Sequence, residues 1–180
     1  MTTRRRPATL TLAALALTLT ACSSAVGGSA TPATTPPPTS ASPTSPTDPF
    51  LNSNPCTILD QALAGEGYPT AVPSSADPKH ACSFNKPTYG TVGLLLQAGQ
   101  TIDEGIPDPS KARTGHVKDR RAIQVRENVG AKGDCMNKIE VKPNSRAIVV
   151  VTLVSRDTDE ACTYANQASA KIEMFLPKTG

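Results

Sequence analysis

Four cysteines, Cys56, Cys82, Cys135 and Cys162, constrain this fold more than any other feature of the chain. In an exported protein an even number of cysteines in a small domain reads as a disulfide framework. Four cysteines allow three pairings. Cys56–Cys82 with Cys135–Cys162 is the favoured pairing and closes loops of 26 and 27 residues. On the chain-entropy view each such bridge stabilises by roughly 3–4 kcal/mol. The competing reading is a metal site. The cysteines lack Cys-x-x-Cys spacing and the two histidines, His80 and His116, stand alone, so neither metal nor cofactor is expected.

The N-terminus supplies the compartment. Arg4, Arg5 and Arg6 precede an apolar run over residues 10–19, and Leu19-Thr20-Ala21-Cys22 follows. This is the order of an export signal, and the run is shorter than the roughly 20 apolar residues of a transmembrane helix. The last four residues resemble the lipobox of bacterial lipoproteins. The resemblance implies cleavage before Cys22 and a diacylglycerol on its sulfur, at about 0.8 kcal/mol of anchoring per buried methylene. The expected location is the outer face of the cytoplasmic membrane. An ordinary signal peptide with an incidental cysteine is the alternative.

Processing also decides what the charge means. Residues 1–21 hold three arginines and no acid, so the 18 basic and 15 acidic residues of the whole chain become equal in the mature protein. A neutral chain gives no footing for nucleic-acid binding. Three segments follow: a signal over 1–21, a tether over 22–53 and one domain over 54–180. The tether is nearly all Ser, Thr, Pro, Ala and Gly, with Asp48 its only charge, and cannot bury enough apolar surface to order itself. At about 3.1 Å per residue in the polyproline form it reaches roughly 100 Å. It reads as a spacer, with Ser and Thr beside Pro as sites for O-linked sugar.

The domain has no Trp and only a few Tyr and Phe, so Val, Ile, Leu and Ala must build its core. Asn54-Pro55 is a good helix start, with Ile58, Leu59, Ala62 and Leu63 as the apolar face and Gly65 and Gly67 as the stop. Strands are expected over 81–84, 91–97, 121–127 and 147–154, and over 135–142. In the last of these Cys135, Asn137, Ile139 and Val141 share one face, and Met136, Lys138, Glu140 and Lys142 form a mostly polar outer side. The strands over 135–142 and 147–154 should make an antiparallel hairpin, with the second central in the sheet. Thr101 and Glu104 have capping-box spacing and suggest a brief helix; residues 105–116 read as loop. Asp157, with Glu160 three residues on, caps a long final helix whose buried stripe is Ala161, Ala165, Ala168, Ile172 and Phe175. The sum is an α+β domain: an antiparallel sheet of about five strands, with an N-terminal and a C-terminal helix packed mainly on one face and two disulfides.

These features resemble the actinobacterial lipoproteins of the domain-of-unknown-function 3558 family. The matching points are the lipobox at Cys22, the Pro-rich tether, Pro55-Cys56 before Ile58-Leu59, Cys82 with Phe84 two residues on, Cys135 opening a strand, and Asp159-Glu160-Ala161-Cys162 opening the last helix. Ser83-Phe84 stands where such proteins often carry Trp after the second cysteine. The resemblance implies an envelope lipoprotein with two disulfides and no particular reaction.

No catalytic constellation is evident. There is no Gly-x-Ser-x-Gly elbow and no His-Glu-x-x-His, and His80 and His116 read as surface histidines. Asp157, Asp159 and Glu160 suit a helix N-terminus better than a calcium loop. Lys111, Arg113, His116, Lys118, Arg120, Arg121 and Arg126 form the one basic stretch, which reads first as a solvated loop and strand edge; Lys111, Arg113, Lys118, Arg120 and Arg121 are the candidates for contact with an anionic wall polymer or lipid headgroups. The leading expectation is a monomeric, non-enzymatic module that binds a ligand or an envelope partner. A hydrolase using His80 or His116 and a passive surface protein are the alternatives.

Overall fold

The computed structural model describes residues 48–178. The expected signal segment, the expected lipidation site Cys22 and all but the end of the expected tether lie outside the described residues. Within them the sheet has seven strands, all antiparallel, in place of about five: β1 (Val72–Pro73), β2 (Ala81–Lys86), β3 (Gly90–Ala98), β4 (Ala112–Val117), β5 (Arg120–Arg126), β6 (Asp134–Lys142) and β7 (Ser145–Leu153). Their order across the sheet is β1-β2-β3-β7-β6-β5-β4. The strand with the densest branched residues, β7, is the middle one, and it forms the expected hairpin with β6.

Two helices, α1 (Pro55–Ala62) and α2 (Thr158–Ile172), lie on one face. Each starts as its sequence requires. The Asn54 side chain accepts the Thr57 N–H, and Asp157 accepts the N–H groups of Asp159 and Glu160. Between helices and sheet lies the main apolar cluster, with Leu59, Leu94, Ile139, Val149, Val151, Ala165 and Ile172 all buried. Both disulfides cross this layer. Cys56–Cys82 joins α1 to β2 and Cys135–Cys162 joins β6 to the first turn of α2, with Cα–Cα distances of 5.1 and 5.0 Å. All three tyrosines of the chain cluster at one end of it, and Tyr68 joins them to Phe84. Tyr68 stacks on Phe84 at 5.2 Å, Tyr89 and Tyr164 meet edge to face at 5.7 Å, and the Tyr164 hydroxyl donates to Glu66. With its own core and both bridges, this region carries what a domain needs to fold alone.

The opposite face is also partly covered, and this overturns several expectations. The outer side of β6 is solvated only toward its end: Met136 and Lys138 are buried there beside Ile123, Val125 and Ile148, under Ile102 from the segment after β3, while Glu140 is half-buried and Lys142 exposed. That segment is a turn and not a helix, although Glu104 does accept from the Thr101 N–H and hydroxyl. Two buried cations hold it down. The Arg146 guanidinium donates to the carbonyls of Thr101 and Glu104 at 2.6 and 2.7 Å, and Lys138 Nζ also donates to the Glu104 carbonyl. Residues 105–116, expected as loop, contain a 3-10 turn (Pro109–Lys111) and β4. Phe175 does not extend the buried stripe of α2. The helix ends at Ile172, a 3-10 turn follows over Glu173–Phe175, Phe175 stays 39% exposed and Leu176 takes the buried place.

Candidate functional site

An open groove of about 410 Å³ lies between the β4–β5 edge and α2. The antiparallel register explains its composition. Arg113, Gly115 and Val117 of β4 and Ala122 and Gln124 of β5 share the helix-side face with Asn137 of β6. The short side chains of Gly115 and Ala122 leave the space, and Asn166 and Ala170 of α2 close its far side.

Three amides meet on the groove's inner surface. Asn166 Oδ1 accepts from Gln124 Nε2 and from Asn137 Nδ2, both at 2.9 Å. Asn137 Nδ2 also donates to Ser169 Oγ at 3.0 Å. Asn137 is 2% exposed, and its Oδ1 has no hydrogen-bond partner. A buried acceptor left unpaired costs about 1–3 kcal/mol. The residue that carries it lines the groove. These amides were not singled out from the sequence. The available signal was Asn137 itself, a polar residue on an otherwise apolar strand face.

The basic stretch does not form one patch, because strand alternation divides it between the two faces. Arg113 and Lys118 line the groove. Arg121 points to the opposite face and pairs with Asp103 at 2.9 Å. Arg120 is buried and structural: its guanidinium donates to Glu173 Oε1, to the Val141 carbonyl and to the Pro177 carbonyl. Lys111 pairs with Glu127 at 2.9 Å, and the hydrogen bond between them raises the lysine's pKa and lowers the glutamate's. Lys118 lies 3.5 Å from Glu173 and Arg126 2.6 Å from Asp159. Among the described residues, Arg113 alone of this stretch's lysines and arginines has no carboxylate partner within salt-bridge distance.

The histidines are not brought together. His116 sits on the exposed edge strand β4 and contributes to the rim of the groove. His80 lies at the start of β2, where its Nδ1 is 3.1 Å from Asp77 Oδ1, beside a second, smaller depression. Neither has a hydroxyl hydrogen-bonded to it among the described residues, and all four domain cysteines are in disulfides. Asp157, Asp159 and Glu160 are spent on the α2 cap, on Arg126 and on Ser155. Among the described residues no group of three His, Cys, Asp or Glu is placed to hold a metal ion, and no helix is long and apolar enough to cross a membrane.

The fold and groove define a class: a small disulfide-stapled α+β module, one antiparallel sheet with two helices on one face and a polar groove at its β4 end. The chain belongs to the family described as protein of unknown function DUF3558, which it matches over residues 17–173, a span that includes all five cysteines. No curated protein and no solved structure matches it.

Proposed function

We propose that this protein is a lipid-anchored, non-enzymatic binding module on the outer face of the cytoplasmic membrane, and that the groove between β4–β5 and α2 receives its ligand. The observation that carries the binding reading is Asn137: a residue that lines the cavity and whose amide oxygen is buried and unpartnered. Folding could have filled this position with an apolar residue at lower cost. A donor from a bound molecule would satisfy it. The anchor rests on the sequence around Cys22. The tether would hold the groove clear of the membrane, within reach of partners in the envelope.

Photocrosslinking on living cells tests both parts. A photoreactive residue replaces Ala170 at the groove, or Asn85 on the other face as a control, in wild type and in a Cys22→Ala background. The expected result is a discrete adduct from position 170 but not from 85, with wild type in the membrane fraction and Cys22→Ala released. Equal capture from both positions, or none from 170, would favour a passive surface protein instead. Release of wild type into the medium would remove the anchor.

A further inference from the structure

We infer that the groove takes an anionic carbohydrate, a hydroxyl-rich chain bearing carboxylate or phosphate groups; this rests on the groove being the ligand site. Three features of the lining select that chemistry together. The first is the amide row. Asn137 offers an acceptor that nothing in the protein fills. Asn166 has its Oδ1 engaged by two donors, and its Nδ2 makes no hydrogen bond among the described residues, so it is free to donate. A sugar hydroxyl both donates and accepts, and can answer both groups at once.

The second feature is charge. Arg113 and Lys118 line the groove and no carboxylate does. Glu173, close to Lys118, is already bonded to Arg120. Arg113, without an acidic partner, is the group most available to a carboxylate or phosphate, and its planar fork suits either one.

The third is what the groove lacks. It has no aromatic ring among its lining residues, so it offers no platform for stacking nucleic-acid bases. All three tyrosines are committed to the cluster around Tyr68. Its apolar lining is limited to Val117, Ala122 and Ala170. A lipid chain laid there would strip water from three amides without replacing their hydrogen bonds.

The test titrates the chain from residue 23 onward, with both disulfides formed, and follows the backbone amide resonances. Four probes are compared: a trigalacturonate, a glycerol-phosphate trimer, maltotriose and an acidic tripeptide. The expected outcome is that one or both anionic polyols shift the resonances of Gly115, Gln124, Asn137 and Asn166. Whichever of the two shifts them more tells carboxylate from phosphate. Arg113→Ala, at an exposed site outside the core, should weaken binding about tenfold, and binding should fall as salt rises. Asn166→Asp, at an exposed helix position, keeps the oxygen that accepts from Gln124 and Asn137 but removes the free donor and places a like charge against the ligand; it should abolish binding while the spectrum stays folded. Equal response to maltotriose would overturn the anionic part. A response to the tripeptide alone would overturn the carbohydrate class while leaving the groove a binding site. Silence from all four probes would overturn the carbohydrate inference, and the crosslink from position 170 would then decide whether the groove is a site at all.

Discussion

Arg120 Nε donates to Glu173 Oε1 at 2.8 Å, joining two residues 53 apart in the chain and tying the start of β5 to the turn that ends α2. The same guanidinium holds the Val141 and Pro177 carbonyls, so one buried side chain fixes three separate segments. Removing one member of a buried pair leaves the other uncompensated, typically at about 3–5 kcal/mol. Arg120→Ala should therefore lower unfolding stability by about 3 kcal/mol in urea titrations. Arg120→Lys should recover only part of it, because a lysine cannot reproduce the fork. A loss below about 1 kcal/mol would be the surface-pair result and would contradict this role.

The same pair sets an acid limit. The Arg120 hydrogen bond holds the Glu173 carboxyl below its ordinary value of 4.5. A carboxylate with a lowered folded pKa contributes stability above its unfolded value, and that stability is lost as pH falls through the folded value. Wild type should lose stability progressively below pH 4.5, and Glu173→Gln should start less stable and lose less over the same interval. Parallel curves for the two proteins would mean that Glu173 is not the group being titrated.

The bridges give a third prediction. Non-reducing peptide mapping should link Cys56 to Cys82 and Cys135 to Cys162; a peptide joining Cys56 to Cys135 or Cys162 would contradict the structure. Replacing Cys135 and Cys162 together by Ala should cost about 3 kcal/mol, and the loss should show in α2. Hydrogen exchange should rise first at Ala161 and Ala165, which pack against the sheet beside the bridge.

What the sequence revealed and what it concealed divide along the range of the interactions. Helix starts, the β6–β7 hairpin and the central place of β7 were legible because Asn54-Pro55, Asp157 and the branched run of residues 148–151 act locally. β4 was not. As an edge strand exposed over Arg113 to His116, it has no buried face and so no apolar alternation to read. The outer side of β6 misled for the opposite reason. Lys138 looks solvated in its own strand, and only the segment around Ile102, some 35 residues earlier, buries it. The groove was half legible. Arg113 and Lys118 were among the candidates, but their separation from Arg121 needs the register of β4 and β5, and the meeting of Asn137 with Asn166 needs the α2 docking that the Cys135–Cys162 bridge fixes.

Lys138 carries the last prediction. It is 1% exposed, and burial first, then the nearby Arg146 charge, lowers its pKa from 10.5 to about 8, with Asp103 and Glu104 offsetting part of the shift. This is the reverse of a lysine that gains an acidic partner. Between pH 8 and 10.5 the unfolded chain keeps the proton and the folded chain has released it, so unfolding takes up a proton and stability rises with pH. Burial raises the pKa values of Tyr68 and Tyr89 above 10.0; their unfolded forms ionise first and pull stability down past that point, so the clean window is pH 8 to 10. The rise there should approach roughly 1 kcal/mol per pH unit in urea titrations. Lys138→Met should abolish the slope. At pH 7 it should stay within about 1 kcal/mol of wild type, because the lost clamp on the Glu104 carbonyl is offset by a buried charge that no longer has to be desolvated. Identical slopes in the two proteins would place the Lys138 ammonium in water and release the Ile102 segment from the sheet.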